Sequence, residues 1–318
     1  MKNRVFINHL DYYIPKGRLT IEDLLNDVSQ EGVSVFNGKE KFKEYLDEFL
    51  PLKHLAVEKE FSLELILTNL LRRNIEEGKI IPEDIEYVIL AFEPNEQLIH
   101  FGHKIQEYFG INQNANIVQL SGNYCANVDV AIGFAEKLIR DSNSDKSILI
   151  ITGNKIQLLE NRIVGTYGIL GDGVGLILIS NKKENAEVEI VGQKTLLKGG
   201  LHEIDFAKDN TIVHFQSYME SFSGALYDNN IESSDLSQIF LHNANILLPK
   251  EAIKMCDVDE TCFYEKNKLA FGHFDTVDLI MNLKDYLVEK KESNSYLASL
   301  SNGVTGTYVT TIYRTLKI

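Results

Sequence analysis

The stretch Pro82-Glu-Asp-Ile-Glu-Tyr-Val-Ile-Leu-Ala-Phe92 has a counterpart in the second half of the chain, Ser233-Ser-Asp-Leu-Ser-Gln-Ile-Phe-Leu-His-Asn243. Each begins with a polar segment, continues with Asp-Ile or Asp-Leu, and ends in an apolar run typical of a buried strand. A helical pattern carrying Val-Asp follows in each half, at Val128-Asp129 and at Val277-Asp278. The repeated order predicts a duplicated unit with pseudo-two-fold symmetry.

Short apolar runs alternate with amphipathic stretches along the whole chain. We predict strands at residues 5–8, 87–92, 148–152, 175–179, 188–191, 239–241, 297–300 and 308–313, and helices at residues 63–76, 103–109, 128–140, 212–228 and 277–289. Strands alternating with helices indicate a layered α/β fold with a buried sheet. We place the first half in residues 1–181 and the second in residues 182–318.

Composition excludes several classes of protein. The 318 residues are 44% hydrophobic and 25% charged, as in ordinary globular proteins. A net charge of −14 argues against a general nucleic-acid or anionic-membrane binder. The three cysteines are too few and too scattered for a disulfide scaffold or a thiolate zinc site, and they suit a reducing compartment. Without a signal-like N-terminus or an apolar segment of about 20 residues, we expect a cytoplasmic protein.

The segment Ser121-Gly-Asn-Tyr-Cys125-Ala-Asn127 stands between an apolar run and an amphipathic helix. This places Cys125 on a strand-to-helix turn. Unpaired N–H groups and the helix dipole at such a turn favour the thiolate, and so lower the pKa of the thiol from its free value of about 8.5. A thiolate suits covalent acyl transfer. The alternative is a small buried cysteine that fills a turn, and this segment alone does not decide between the two.

Two histidines are further candidates. Leu241-His242-Asn-Ala-Asn245 lies at the end of a predicted strand, where α/β sheets place functional side chains. Phe271-Gly-His273-Phe-Asp275-Thr-Val-Asp278 opens the last long helix. Its polar residues either cap that helix or make His273 a second imidazole facing the thiol, oriented by Asp275 or Asp278. His242 is either structural, or a general base or hydrogen-bond donor to an oxyanion.

The glycine-rich segment Gly171-Asp-Gly-Val-Gly175 lacks the spacing of a dinucleotide loop and the lysine of a phosphate loop. We interpret it as a tight turn between strands and assign it no ligand. No cluster of His, Cys, Asp or Glu has metal-ligand spacing in the sequence. We therefore expect no bound cofactor and no metal.

Cys125, His242 and the Gly-Asp-Gly turn, in this order on a duplicated chain, resemble the β-ketoacyl-acyl-carrier-protein synthase III group of the thiolase superfamily. The resemblance runs over nearly the whole chain, from Leu19-Thr-Ile-Glu-Asp-Leu24 to the Gly303 segment. It implies an α/β, thiolase-like duplicated fold with five layers, α-β-α-β-α, and pseudo-two-fold halves.

The resemblance also implies roles. Cys125 would take an acyl group from a thioester, and His242 matches the histidine of the family motif His-Gln-Ala-Asn. Asn245 matches the last residue of that motif, so we expect it to contact substrate. The asparagine of the family triad is replaced by His273.

The remaining expectations concern the oxyanion and the donor. The family's oxyanion-binding amides correspond to those of Cys125 and about Asn302. The chain has no tryptophan, and Leu247 stands where acetyl-CoA-priming members have an arginine that contacts coenzyme A. Both changes disfavour ordinary acetyl-CoA priming. They favour a carrier-protein-bound or unusual acyl donor in a specialised pathway. The family is homodimeric, and Leu98 would reach a neighbour's acyl pocket.

We therefore interpret the protein as an acyltransferase or condensing enzyme. It would load an acyl group from coenzyme A or acyl carrier protein onto Cys125 and pass it to a malonyl-type acceptor. Because a neutral imidazole can also act as a base, His273 would equally allow transfer to a hydroxyl or amine without a new carbon–carbon bond. Two further hypotheses are a cysteine hydrolase and a non-catalytic partner of a related synthase.

Overall fold

Strands and helices alternate along the chain, as the apolar periodicity predicts. The computed structural model describes residues 3–141, 145, 147–201, 210–268, 270–289 and 293–316. The helices are α1 (Ile21–Asp27), α2 (Lys39–Phe49), α3 (Leu63–Glu76), α4 (Phe101–Phe109), α5 (Asn127–Asp141), α6 (Thr211–Asp228), α7 (Leu247–Lys254) and α8 (Val277–Glu289). The strands are β1 (Val5–Tyr13), β2 (Arg18–Thr20), β3 (His54–Ala56), β4 (Ile85–Ala91), β5 (Asn116–Leu120), β6 (Ser147–Asn154), β7 (Ile163–Val164), β8 (Gly168–Ile169), β9 (Gly173–Ser180), β10 (Val188–Leu197), β11 (Leu236–Phe240), β12 (Phe263–Tyr264), β13 (Tyr296–Gly303) and β14 (Thr307–Thr315).

The strand order repeats on the two sides of the molecule. The main sheet runs β12-β11-β13-β14-β10-β1-β9-β6-β4-β5. From the antiparallel pair of β1 and β10, one side of the sheet runs β1-β9-β6-β4-β5 and the other runs β10-β14-β13-β11-β12. When the main-sheet strands of each half are counted in chain order, both sides read first, fifth, fourth, second and third. The second, third and fourth strands are parallel in each half, and the fifth is antiparallel to the fourth. The predicted duplication is confirmed, with the pseudo-two-fold axis between β1 and β10. The division at residue 181 into two units stays a prediction.

Helices form three layers around the two halves of this sheet. α5 and α8 lie between the halves, where Val128 and Ile132 pack in one core cluster with Leu279 and Leu283. α3 and α4 cover the outer face of the first half, and α6 and α7 cover that of the second. This is the predicted five-layered α-β-α-β-α arrangement. It brings the N-terminal ends of α5 and α8 together inside the molecule.

The sequence explains the elements that the prediction located well. β6 and β9 are covered on both faces, which matches their nearly continuous apolar runs. α3 starts where the Ser62 hydroxyl accepts a hydrogen bond from the Leu65 N–H at 3.2 Å. Of the described helices, none combines the length and the apolarity needed to cross a membrane.

A small cap was not among the predicted elements. It comprises α1, α2 and the two-stranded sheet of β2 and β3, and it has its own core around Phe36, Phe42 and Leu46. Ile169 of β8 belongs to the same core. The cap therefore packs against the Gly-rich turn that precedes β9, close to the loop that carries His273.

Candidate active site

Two helix starts bring the candidate nucleophile and one imidazole together. Cys125 lies in the single 3₁₀ turn Tyr124–Ala126 immediately before α5, and His273 lies in the loop before α8. Because α5 and α8 share the central layer, the Cys125 Sγ lies 3.1 Å from His273 Nε2. The exposed fraction is 4% for Cys125 and 0% for His273. The two residues form a buried contact, as the duplicated fold led us to expect.

The backbone around Cys125 leaves little freedom. Tyr124 has a φ of +48°, which is uncommon for a residue with a side chain. On the other side of the turn, a Cβ at Gly303 would lie 2.1 Å from the carbonyl oxygen of Asn123. Only glycine fits at this position, because the end of β13 lies directly against the cysteine turn.

His273 is held by the Gly-rich turn. Its N–H donates to the Ile169 carbonyl at 2.9 Å, and its carbonyl accepts from the Gly171 N–H at 2.8 Å. A Cβ at Gly171 would lie 2.6 Å from the Phe274 ring. The buried ion pair of Arg162 and Asp172, at 2.9 Å, fixes the same turn. The turn thus connects strands, as predicted, and also seats the loop that carries His273.

Asp278, on the first turn of α8, links both histidines. Its Oδ2 lies 2.5 Å from His273 Nδ1 and 3.6 Å from His242 Nδ1. The N–H of Asn243 donates to this oxygen at 2.7 Å, and the N–H of Phe274 donates to Oδ1 at 2.8 Å. The result is a continuous array from Cys125 through His273 to Asp278, the arrangement that activates a nucleophile through an oriented base.

His242 completes the site from the end of β11. Its ring centroid lies 5.1 Å from that of His273. Its Nε2 is buried and has no hydrogen-bond partner among the described residues. A buried ring nitrogen without a partner is costly, which favours a role in binding a substrate atom.

The two imidazoles differ in protonation. Burial alone would lower the pKa of His273, but the carboxylates of Asp278 and Asp275 raise it above its ordinary value. Burial lowers the pKa of His242, and the neighbouring His273 adds to that effect. Asp278 stays ionised: burial opposes this, but the imidazoles hold its pKa well below the usual range. The site therefore holds one imidazole that accepts a proton readily and one that stays neutral.

The prediction that the helix N-terminus lowers the pKa of Cys125 is wrong. Burial raises the pKa of this thiol well above its ordinary value, and the negative charges of Asp275 and Asp278 raise it further. Desolvation and two nearby carboxylates outweigh the helix dipole, whose effect is modest. Cys125 is a thiol at rest, so its reactivity depends on proton transfer to His273.

Tyr167 was not among the predicted site residues. Its ring meets those of His273 and His242 edge-on, with centroids 5.4 and 6.2 Å away. Its hydroxyl donates to Asn302 Oδ1 at 3.1 Å, and burial raises its pKa so that the hydroxyl stays protonated. The surrounding loop has no motif that would have singled this tyrosine out.

The remaining predicted site residues have different outcomes. Asn302 lies beside the cysteine turn, at the end of β13. Asn245 does not face the thiol: its amide donates to the Tyr45 hydroxyl at 2.8 Å, and its Oδ1 accepts from the Leu247 N–H at 3.2 Å. It connects the cap to the start of α7, so the expectation of substrate contact is not supported.

Leu98 also lies away from the reacting groups. Its side chain is 1% exposed and packs in the core cluster of α3 and α4. A side chain buried in its own subunit is not available to a neighbour, which contradicts the expectation that it lines a neighbour's acyl pocket. Cys256 and Cys262 are only partly buried and make weak contacts with the Ala252 and Leu236 carbonyls. Neither is part of the site.

Two triplets in the site have the residue types of metal ligands: Cys125, His273 and Asp275, and His242, His273 and Asp278. In both, ligand atoms already bond to one another, at 3.1 Å for Cys125 with His273 and 2.5 Å for His273 with Asp278. Tetrahedral ligands about 2.0–2.3 Å from a zinc ion stand farther apart than this. The geometry fits a proton-transfer array better than a metal site.

Comparison with known proteins gives the fold. No protein-family model matches the chain. The β-ketoacyl-[acyl-carrier-protein] synthase III of Streptococcus agalactiae is 22% identical over 296 residues, which covers 84% of each protein. The 3-oxoacyl-[acyl-carrier-protein] synthase III structure from Aquifex aeolicus matches with a TM-score of 0.80 and 17% identity, covering 98% of this chain and 99% of that one. The acyltransferase ChlB3 matches with a TM-score of 0.79 and 13% identity, covering 99% and 98%. The chain thus shares the thiolase fold of these structures, and its sequence is similar to that of the β-ketoacyl-[acyl-carrier-protein] synthase III proteins.

Proposed function

We propose that the protein is an acyltransferase that takes an acyl group from a thioester onto Cys125 and passes it to a second substrate. The observation that carries this proposal is the buried array in which Cys125 Sγ lies 3.1 Å from His273 Nε2 and His273 Nδ1 lies 2.5 Å from Asp278. The names of proteins similar in sequence and structure, a synthase III and an acyltransferase, support the same class of reaction.

In the first half-reaction, Cys125 attacks the thioester carbonyl while His273 Nε2 takes the thiol proton. Ionised Asp278 stabilises the imidazolium that forms. The backbone N–H groups of Cys125 and Asn302 would donate to the oxyanion of the tetrahedral intermediate. When the intermediate collapses, the carbon–sulfur bond of the donor breaks, and its thiolate leaves with the proton from His273. An acyl-cysteine remains.

In the second half-reaction, the free Nε2 of His242 faces the acceptor. Because its pKa is lowered, His242 is neutral and carries one proton. Its Nδ1 lies 3.6 Å from Asp278 Oδ2, too far for a hydrogen bond that would hold the proton there, so the tautomer with the proton on Nε2 is open to it and makes it a hydrogen-bond donor. With a malonyl-type acceptor, it would stabilise the enolate left when the carbon–carbon bond to the carboxylate breaks and carbon dioxide departs. The enolate carbon would attack the acyl-cysteine carbonyl, so the new carbon–carbon bond forms as the carbon–sulfur bond to Cys125 breaks. The Cys125 thiolate leaves and takes up a proton from solvent.

Transfer to a hydroxyl or amine is the second candidate. It is favoured by the contact of His273 with Asp278, since an imidazole with this partner can remove a proton from such an acceptor. An ester or amide forms, the carbon–sulfur bond to Cys125 breaks, and the proton taken by His273 returns to the sulfur. No carbon dioxide is released on this route.

We also propose that the donor is a thioester of coenzyme A or acyl carrier protein, that no cofactor or metal takes part, and that two copies form a homodimer. The sheet ends at β5, an edge strand that offers a surface for pairing. Light scattering of the purified protein tests the dimer, and a monomer at working concentration contradicts it.

Mass spectrometry of the intact protein tests the acyltransferase. After incubation with a panel of acyl thioesters, wild-type protein should gain the mass of one acyl group, and the Cys125→Ala variant should gain none. An adduct that persists in Cys125→Ala contradicts the proposal. Adding malonyl thioesters, alcohols or amines then separates the two candidates, since only condensation releases carbon dioxide. Turnover with water as the only acceptor would indicate a hydrolase, and activity that needs a second synthase but not Cys125 would indicate a partner subunit.

A further inference from the structure

Glu93 follows β4 and directs its carboxylate at the turn that carries Cys125. Its Oε1 accepts from the N–H of Gly122 and from that of Tyr124, both at 2.9 Å, and from the side-chain amide of Asn127 at 2.8 Å. Its Oε2 lies 3.2 Å from the same Gly122 nitrogen. One carboxylate thus bonds to residues on both sides of the cysteine.

The turn needs partners of this kind, because its backbone is unfavourable by itself. Tyr124 has a φ of +48° and Gly122 a φ of +88°. A residue with a side chain persists in the left-handed region only where its surroundings hold it there. The bond from the Tyr124 N–H to Glu93 acts at the strained residue itself, one position before Cys125.

The Tyr124 N–H is the first of the 3₁₀ turn that leads into the N-terminal end of α5, and the Gly122 N–H lies two residues before it. An anion is stabilised at such an end by unpaired N–H groups and by the helix dipole. Here the carboxylate of Glu93 is that anion, and the sulfur of Cys125 is free to face His273 instead. The arrangement explains how a cysteine at a helix start can rely on an imidazole rather than on the helix.

We propose that Glu93 is a positioning residue: its carboxylate fixes the turn from Gly122 to Asn127 so that Cys125 Sγ stays in contact with His273 Nε2. The kinetic consequence rests on the proposed function. The positioning itself can be measured without any acyl substrate, because the Cys125–His273 contact governs the reaction of the thiol with an alkylating agent.

The ionisable groups around Cys125 come from several elements. They are His273, Asp275 and Asp278 from the second half, Tyr167 from the loop before β8, and Tyr218 from α6. Replacing Glu93 leaves all of them in the chain. Removing the negative charge of Glu93 would by itself lower the pKa of the Cys125 thiol, so a shift of its pH profile to higher values reports a movement of the turn.

The experiment compares Glu93→Ala and Glu93→Gln with Glu96→Ala, an exposed glutamate of the same loop. We expect Glu93→Ala to lower kcat about 100-fold, the loss expected for a displacement of about 1 Å, with little change in KM. The alkylation profile with iodoacetamide should move to higher pH, because the buried thiol loses its base. Glu93→Gln keeps an acceptor oxygen, so it should retain most of the wild-type kcat and an alkylation profile close to that of wild type. Glu96→Ala should match wild type.

A folded Glu93→Ala protein with the kcat and alkylation profile of wild type overturns the proposal. If that variant does not fold, Asn127→Asp decides, because it sets a second carboxylate against Glu93. It should reproduce the loss, and the double variant Asn127→Asp/Glu93→Gln should restore activity, since the glutamine amide can donate to the new carboxylate. If Asn127→Asp and the double variant have the same kcat and the same alkylation profile, the proposal is contradicted. A wild-type protein that forms no acyl adduct, but whose alkylation still depends on Glu93, would remove the proposed function and leave the positioning role intact.

Discussion

Asp129 of α5 and Asp278 of α8 occupy equivalent positions in the two halves, and their ionisation differs. Each follows a valine at the start of the central helix of its half, and each is 0% exposed. Burial raises the pKa of Asp129 to about 7, although the hydroxyls of Ser301 and Ser299 donate to it. Asp278 faces the same cost of burial, yet its imidazole partners keep its pKa well below the usual range.

The difference teaches what a buried carboxylate needs in order to stay charged. Neutral hydroxyl donors offset only part of the desolvation, whereas an imidazole that can carry a positive charge offsets all of it. Duplication therefore supplied the same aspartate twice. In the half that provides the histidines it orients a base, and in the half that provides the thiol it ties α5 to β13.

Replacing the two aspartates separately should give the largest contrast. Asp278→Asn removes the charge that stabilises the His273 imidazolium and allows the wrong tautomer, so we expect kcat for acyl transfer to fall by about 10³–10⁴-fold. Asp129→Asn should leave kcat within a few-fold of wild type. Steady-state kinetics check both, with Asp285→Asn as a control on the same helix as Asp278. Similar losses in the Asp129 and Asp278 variants would break the comparison.

The two imidazoles beside Asp278 should also separate by half-reaction. The Nε2 of His242 is free to contact the acceptor, while that of His273 contacts the thiol. We expect His242→Ala to lower overall turnover about 100-fold, the usual effect of losing one donor to a developing charge. Formation of the acyl-cysteine, followed by intact mass in a quench-flow experiment, should fall much less. His103→Gln, an exposed site on α4, is the control. A larger loss in acylation than in turnover contradicts the assignment.

The pH dependence of stability should reveal the raised pKa of Asp129. In the unfolded chain this carboxyl ionises near its ordinary pKa of 3.8, and in the folded protein near 7. The folded state therefore holds an extra proton between these values. The free energy of unfolding should decrease as the pH rises through this range, by at most about 4 kcal/mol. Asp129→Asn cannot ionise, so its stability relative to wild type should increase from pH 5 to pH 8. Urea unfolding at the two pH values tests this, and a constant difference contradicts it.

Much of the fold follows from the sequence because its signals are local. The predicted helices at 63–76 and 277–289 have the bounds of α3 and α8, which carry regular apolar faces. α2 was missed because only Phe42 and Leu46 of its 11 residues are buried, which leaves a narrow apolar stripe. α7 has only 8 residues, too few for a clear period. The cap and α7 are therefore parts of the fold that local patterns do not specify.

The candidate site, like the fold, is predictable from the sequence only where its signals are local. The order of motifs indicated Cys125, His242 and His273, because strand ends and helix starts are predictable. The sequence does not decide whether Asp275 or Asp278 orients His273, since that choice depends on where the backbone turns before α8, and Asp275 has a φ of +55°. The direction of the Cys125 pKa shift was wrong because burial depends on residues far away in the chain. Tyr167 reaches the site through a loop that has no periodicity.

The smallest predicted effects concern the neutral donors to each carboxylate. Ser299→Ala removes a hydroxyl 3.2 Å from Asp129, and Asn243→Ala removes an amide 3.1 Å from Asp278. A hydrogen bond to a neutral group stabilises by about 1 kcal/mol and one to a charged group by about 2 kcal/mol. Ser299→Ala should therefore cost about 1 kcal/mol more at pH 8, where Asp129 is ionised, than at pH 5, where it is protonated. Asn243→Ala should cost the same at both, because Asp278 is ionised throughout. Urea unfolding of the two variants checks this. If the loss in Ser299→Ala is independent of pH, Asp129 has the same charge at both values, and the two halves do not differ in the way that their partners imply.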